Sequence, residues 1–142
     1  MLEDAPALIE KLTASNQTLS TVESCTGGLL FAYLTAVPGA SAVLERGFIT
    51  YSNQAKQEMV GVTKNTLAAF GAVSQQTAEE MAKGGCQVAR TDLSISLTGI
   101  AGPSGGSAEK PVGLVWISAF RKDGIQQTER HLFTGDRQQI RM

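Results

Sequence analysis

A chain of 142 residues has the length of one ordinary domain, and 42% hydrophobic with 18% charged residues supplies a core and argues against disorder. A net charge of −1 excludes the broad basic field of a dedicated nucleic-acid binder, and no apolar run approaches the roughly 20 residues that span a bilayer. One histidine, two cysteines outside any C-x-x-C spacing and no acidic cluster argue against a zinc or two-metal centre, so neither metal nor cofactor is expected. Cys25 and Cys86 read as reduced thiols of a cytoplasmic protein, and Met1-Leu2-Glu3-Asp4 lacks the basic and apolar regions of a secretory leader.

Residues 5–15 place Leu8, Ile9 and Leu12 at helical spacing and form a first amphipathic helix. The β-branched run at 18–23 is a first strand. It leads into Glu23-Ser24-Cys25-Thr26-Gly27-Gly28, and a helix over 27–36 follows. A strand that turns through Gly-Gly into a helix gathers a hydroxyl and several unpartnered N–H groups, which suits an anion, or a serine nucleophile if a base reaches it. The 27–36 helix is apolar on most sides, so it is expected to be deeply covered or to join copies of the chain in a homo-oligomer. Residues 43–52 form a second strand. Asn53 is expected to cap a helix over 54–60 with Lys56 in its first turn, and Thr63 caps a short helix that Gly71 closes after Phe70. Ser74 caps a longer helix in which Ala78, Met81, Ala82, Gly85, Val88 and Ala89 share one face. Residues 92–98 alternate as a strand that runs into the Gly-rich loop Gly99 to Gly106. Residues 113–121 suit a central strand, Lys122-Asp123-Gly124 a tight turn, and 125–133 an edge strand. A last helix starts at Gly135-Asp136 and reaches Met142.

This order of elements predicts an α/β fold, a three-layer α/β/α sandwich on a mixed, mostly parallel sheet, where ligands bind beyond the carboxyl ends of strands. Ser24, Tyr51 and Thr98 all lie near such ends. A Ser-His-Asp triad would need His131, which sits mid-strand on the hairpin and reads as a surface residue. Lys56 is the better base, provided that burial or the positive end of its helix lowers its pKa from about 10.4; a solvated helix lysine is the plain alternative. Tyr51 either relays a proton or packs its ring. Thr98 and the amides from Gly99 onward, with Gly105 and Gly106, suit an oxyanion or polar substrate groups. Cys25 is the rival nucleophile, and Glu23 either orients a lysine or is a buried carboxylate without catalytic consequence. Thr26 reads first as a helix cap, with Gly27 and Gly28 forming the turn beside it. Arg137 and Arg141 flank the last helix, where each is either a phosphate ligand or a surface arginine.

Taken together, Glu23 to Gly28, Gly47-Phe48-Ile49-Thr50-Tyr51-Ser52-Asn53-Gln54-Ala55-Lys56 and Thr98 to Gly106 resemble the C-terminal domain of the competence/damage-inducible protein CinA, as do Gly71-Ala72-Val73-Ser74 and Pro111 to Val115. The resemblance runs along essentially the whole chain. It implies a nicotinamide-nucleotide amidohydrolase that converts nicotinamide mononucleotide and water into nicotinate mononucleotide and ammonia in pyridine-nucleotide salvage. The family's serine, tyrosine and lysine fall on Ser24, Tyr51 and Lys56, its threonine on Thr98, and its arginine on Arg137 or Arg141. The 27–28 turn or the Gly-rich loop would hold the ribose phosphate. The expected partner is thus a small nucleotide rather than nucleic acid or membrane. Two departures are expected: residues 1–142 form one domain without the N-terminal molybdopterin-binding-like domain of longer members, and the family's final helix is missing, which would leave an apolar patch uncovered. A non-catalytic nucleotide-binding module, or a regulator tied to competence or DNA damage, is the alternative.

Overall fold

The computed structural model describes residues 3–142; Met1 and Leu2, where the segment read for a leader begins, lie outside the described residues. Helix α1 (Ala5–Ala14) precedes strand β1 (Leu19–Glu23), and helix α2 (Leu29–Thr35) leads to β2 (Leu44–Ile49). Three helices follow, α3 (Asn53–Val60), α4 (Lys64–Phe70) and α5 (Gln75–Ala89), then β3 (Leu93–Gly99), the hairpin β4 (Leu114–Arg121) and β5 (Gln126–Leu132), and α6 (Arg137–Arg141). The strands form one sheet in the order β2-β1-β3-β4-β5. β1 pairs parallel with both neighbours, and β4 runs antiparallel to β3 and β5. The sheet is therefore mixed and parallel through its centre, the α/β architecture expected.

Central placement explains why β1 is buried along its full length. On one face lies α5, whose buried side is Ala, Gly, Thr, Met and Cys. Small residues let this helix settle close to the sheet: a Cβ added at Gly85 would stand 2.3 Å from Val22 Cγ2. Several facing strand positions are hydroxyls, and Ser96 Oγ donates to the Ala78 carbonyl at 2.6 Å. Val88, expected on the buried face, is 49% exposed, because the inner face runs instead through Gly84, Gly85 and Cys86.

The second face is covered less evenly. α1 packs with α2 around Ile9, Leu12, Leu19 and Leu34. Of α2 itself only Leu34 is buried, so this helix is not deeply covered. Beyond it, Leu30, Tyr33, Leu97, Ile117, Ile140 and Met142 line an open apolar groove of about 300 Å³.

Three boundaries differ from expectation for local reasons. α2 starts at Leu29 rather than at residue 27 because Gly27 and Gly28 both take positive φ, +62° and +102°. β2 ends at Ile49, which leaves Tyr51 beyond the strand. The cap of α3 is Ser52, not Asn53: Ser52 Oγ accepts the Ala55 N–H at 3.0 Å, and Asn53 is already helical.

Candidate active site

The carboxyl ends of β1, β2 and β3 meet at a cleft of about 340 Å³ whose lining includes Ser24, Tyr51, Lys56, Thr98, Gly105 and Arg137. Each side chain reaches it by a separate route. Ser24 is the first residue after β1, and its amide donates to the Leu97 carbonyl at 3.0 Å, which ties it to the end of β3. Lys56 sits one turn into α3, and its stem runs inward until the side chain is only 1% exposed.

Lys56 Nζ has three oxygen neighbours. It lies 3.0 Å from Ser24 Oγ, 2.8 Å from the Thr50 carbonyl and 3.3 Å from the Tyr51 carbonyl. Carbonyl oxygens only accept, so an uncharged amine spends its two N–H groups on them and turns its lone pair to the serine hydroxyl. That is the hydrogen-bond pattern of a general base on a nucleophile. Burial pushes the Lys56 pKa down to about 8. Among the described residues no aspartate or glutamate lines the cleft to restore the charge. With Lys56 as the base, the deprotonated amine would be the working form, and kcat/KM is expected to rise about tenfold per pH unit below pH 8 and to level above it. A pH–rate profile checks this; a rate that falls as pH rises from 6 to 8 would contradict it.

Tyr51 meets Lys56 through its backbone carbonyl, not through its phenol. The ring is 64% exposed, and its Oη accepts from Arg137 Nη2 at 3.3 Å. Arg137 Nη1 also donates to the Gly102 carbonyl at 2.7 Å, so this guanidinium stands at the cleft mouth between Tyr51 and the Gly-rich loop. Thr98 donates its hydroxyl to the Ala72 carbonyl at 2.8 Å and so holds the 72–73 segment as one wall. Gly99 and Gly105 line the cleft; Gly106 does not, and it packs against Val112 instead.

The rest of the expected anion site is not assembled here. The N–H groups of Gly28, Leu30 and Phe31 all donate to the Glu23 carboxylate, at 3.0, 3.0 and 2.8 Å. The start of α2 therefore already holds an anion, and Gly27 and Gly28 lie off the cleft. Thr26 and Arg141 face the apolar groove on the other side of the loop, and Thr26 Oγ1 caps nothing. Arg141 is turned to the carbonyls of Cys25 and Thr26. Burial pushes the Cys25 thiol pKa up, away from the thiolate a cysteine nucleophile needs. His131 pairs with Glu129 on β5 and is not among the residues lining the cleft. The Thr50 carbonyl and Ala72-Val73 were missed as site parts, since backbone acceptors and small wall residues leave no compositional mark.

Comparison with known proteins adds an independent line. The profile of the CinA C-terminal domain matches residues 3–142. The nicotinamide-nucleotide amidohydrolase PncC of Escherichia coli K12 is 49% identical over 132 residues, which cover 93% of this chain and 80% of that protein. The crystal structure of the competence/damage inducible protein CihA from Agrobacterium tumefaciens superposes with a TM-score of 0.95 at 46% identity, covering 98% of this chain and 85% of the other. A CinA superfamily protein of Escherichia coli gives a TM-score of 0.92 at 37% identity, over 96% of this chain and 79% of that one.

Proposed function

The chain belongs to the CinA C-terminal domain family, and from that premise we propose that it is a nicotinamide-nucleotide amidohydrolase whose nucleophile is Ser24 and whose base is Lys56. The reading is carried by one observation: a buried amine 3.0 Å from a serine hydroxyl, with two carbonyls taking its N–H groups.

Ser24 Oγ attacks the carboxamide carbon of nicotinamide mononucleotide and passes its proton to Lys56 Nζ. The oxyanion is received by amides of the nucleophile loop, where the N–H groups of Cys25 and Thr26 donate to no backbone carbonyl among the described residues. Lys56 then gives its proton to the departing nitrogen, which leaves as ammonia with an acyl ester on Ser24. Water, deprotonated by Lys56, attacks the ester; the carbon–oxygen bond to Ser24 breaks as Lys56 returns that proton to Ser24 Oγ, and nicotinate mononucleotide is released. Tyr51 orients Lys56 by its carbonyl and Arg137 by its phenol. The two free thiols fit a cytoplasmic setting, and no helix among the described residues is long and apolar enough to cross a membrane.

Of the two arginines, Arg137 is the one whose guanidinium lines the cleft, and it is assigned the substrate phosphate. Arg137→Ala is expected to raise KM for the mononucleotide by roughly 10–100-fold, the worth of a charge-assisted contact, with KM for the phosphate-free nucleoside unchanged. Steady-state kinetics on both substrates checks it.

Incubating the purified chain with nicotinamide mononucleotide tests the whole reading. Ammonia and nicotinate mononucleotide are expected in equal amounts. Binding without product would instead make the chain a nucleotide-binding module.

A further inference from the structure

We infer that Arg141 is a positioning residue: it clamps the loop that carries the nucleophile and does not touch substrate. The inference rests on the amidohydrolase reading and adds a residue to its machinery. Ser24 lies on a loop, Ser24–Gly28, with two glycines at positive φ and no regular structure of its own. Such a loop keeps a nucleophile within hydrogen-bond reach of its base only if its backbone is held from outside. On one side the Glu23 carboxylate takes the N–H groups of Gly28, Leu30 and Phe31. From the other side comes Arg141, the last residue of α6. Its Nε donates to the Cys25 carbonyl at 2.9 Å and its Nη2 to the Thr26 carbonyl at 3.2 Å.

Those two bonds fix the peptide planes that follow Cys25 and Thr26. In a trans peptide the C=O and N–H point in opposite directions, so drawing the Cys25 carbonyl toward Arg141 aims the Thr26 N–H away from it. The Thr26 N–H, one of the two donors assigned to the oxyanion, is thus aimed by a side chain 116 positions along the chain. The fork geometry matters: guanidinium presents two parallel donors in one plane, and an ammonium cannot reproduce that. The guanidinium also lies close against the loop: a Cβ added at Gly27 would stand 3.3 Å from Arg141 Nη2.

Steady-state kinetics of Arg141→Ala and Arg141→Lys on nicotinamide mononucleotide and on phosphate-free nicotinamide riboside provides the test. Both variants are expected to lose kcat by about 10–100-fold, equally on the two substrates, with KM within about twofold of wild type. Added guanidinium is expected to restore part of the rate in Arg141→Ala and none in Arg137→Ala. Amide exchange at Gly27 and Gly28 is expected to quicken roughly tenfold in Arg141→Ala, with α1 unchanged. A loss confined to the mononucleotide and expressed in KM would make Arg141 a phosphate ligand and overturn the inference. So would undiminished kcat, or unchanged exchange at the two glycines. If Arg141→Ala fails to fold, Arg141→Lys is judged by the same kinetic and exchange criteria. If wild type releases no ammonia from either substrate, the amidohydrolase reading falls, and the exchange measurement decides the clamp by itself.

Discussion

Replacing Lys56 by methionine is expected to lower ammonia release from nicotinamide mononucleotide by about 10⁴-fold or more, and to leave the protein at least as stable as wild type at pH 7. The two halves of this result have one cause. The same burial that brings the lysine pKa from 10.5 to about 8 makes the amine a usable base and makes its charged form costly, on the order of 3 kcal/mol. An unfolded chain keeps this lysine protonated up to about pH 10.4, so the unfolded state binds more protons between pH 8 and that value. Wild-type stability therefore rises with pH across that window, and below about pH 8 the full cost is present. Methionine has a similar length and no charge, so it removes the cost at neutral pH. Against this, the Thr50 and Tyr51 carbonyls lose their donor, about 1 kcal/mol each. Desolvation is the larger effect. Denaturant unfolding at pH 7 and pH 10 should show wild type gaining stability and Lys56→Met not gaining. Ser24→Ala should match the loss of turnover, and so should Lys56→Arg, because guanidinium does not deprotonate. A folded Lys56→Met protein with near-normal turnover would end the Ser–Lys scheme.

Much of this site was legible before any coordinates, and the reasons differ residue by residue. Ser24 could be found because strand, Gly-Gly turn and helix are written locally, in β-branched residues, glycines and an apolar run. Lys56 was legible as a candidate but not as a base, since its burial depends on where α3 lands relative to the ends of β1 and β2. In sequence the helix N-terminus at Gly27-Gly28 reads as a site for a substrate anion, yet its N–H groups are taken by Glu23, five residues before Gly28, and no spacing rule separates an internal carboxylate from a substrate phosphate. The two arginines were indistinguishable in sequence, being four apart on one short helix. Only the course of the chain after β5 turns Arg137 to the cleft and Arg141 to the back of the 24–28 loop. Tyr51 shows the same limit at finer scale: its identity was legible, while its use of a carbonyl toward Lys56 and a phenol toward Arg137 was not.

Gly84→Ala is expected to destabilise the fold by more than about 4 kcal/mol, beyond the usual range for an overpacked core. In an isolated helix this substitution would be favourable by about 1 kcal/mol, so the prediction runs against helix propensity. Packing decides it. A Cβ at Gly84 would stand 1.8 Å from the Val60 carbonyl oxygen, and that atom belongs to the last residue of α3, so no rotamer change can move it aside. At Gly85 the obstruction is the Val22 side chain at 2.3 Å, which can yield in part, and Gly85→Ala is expected to cost less. Gly124, with nothing within 4 Å and a φ of +100°, is the control: alanine there costs only the backbone strain, roughly 1–2 kcal/mol. The contact at Gly84 also connects packing to chemistry. α3 carries Lys56 one turn from its start, so a helix displaced from α5 draws the amine away from Ser24, and a shift of about 1 Å is enough to cost roughly 10²-fold in rate. Any Gly84→Ala protein that survives at low temperature should therefore fold less stably and turn over more slowly at once. Denaturant unfolding beside an ammonia assay reads both, and a variant within about 1 kcal/mol of wild type would show that α3 and α5 are not locked together as this contact requires.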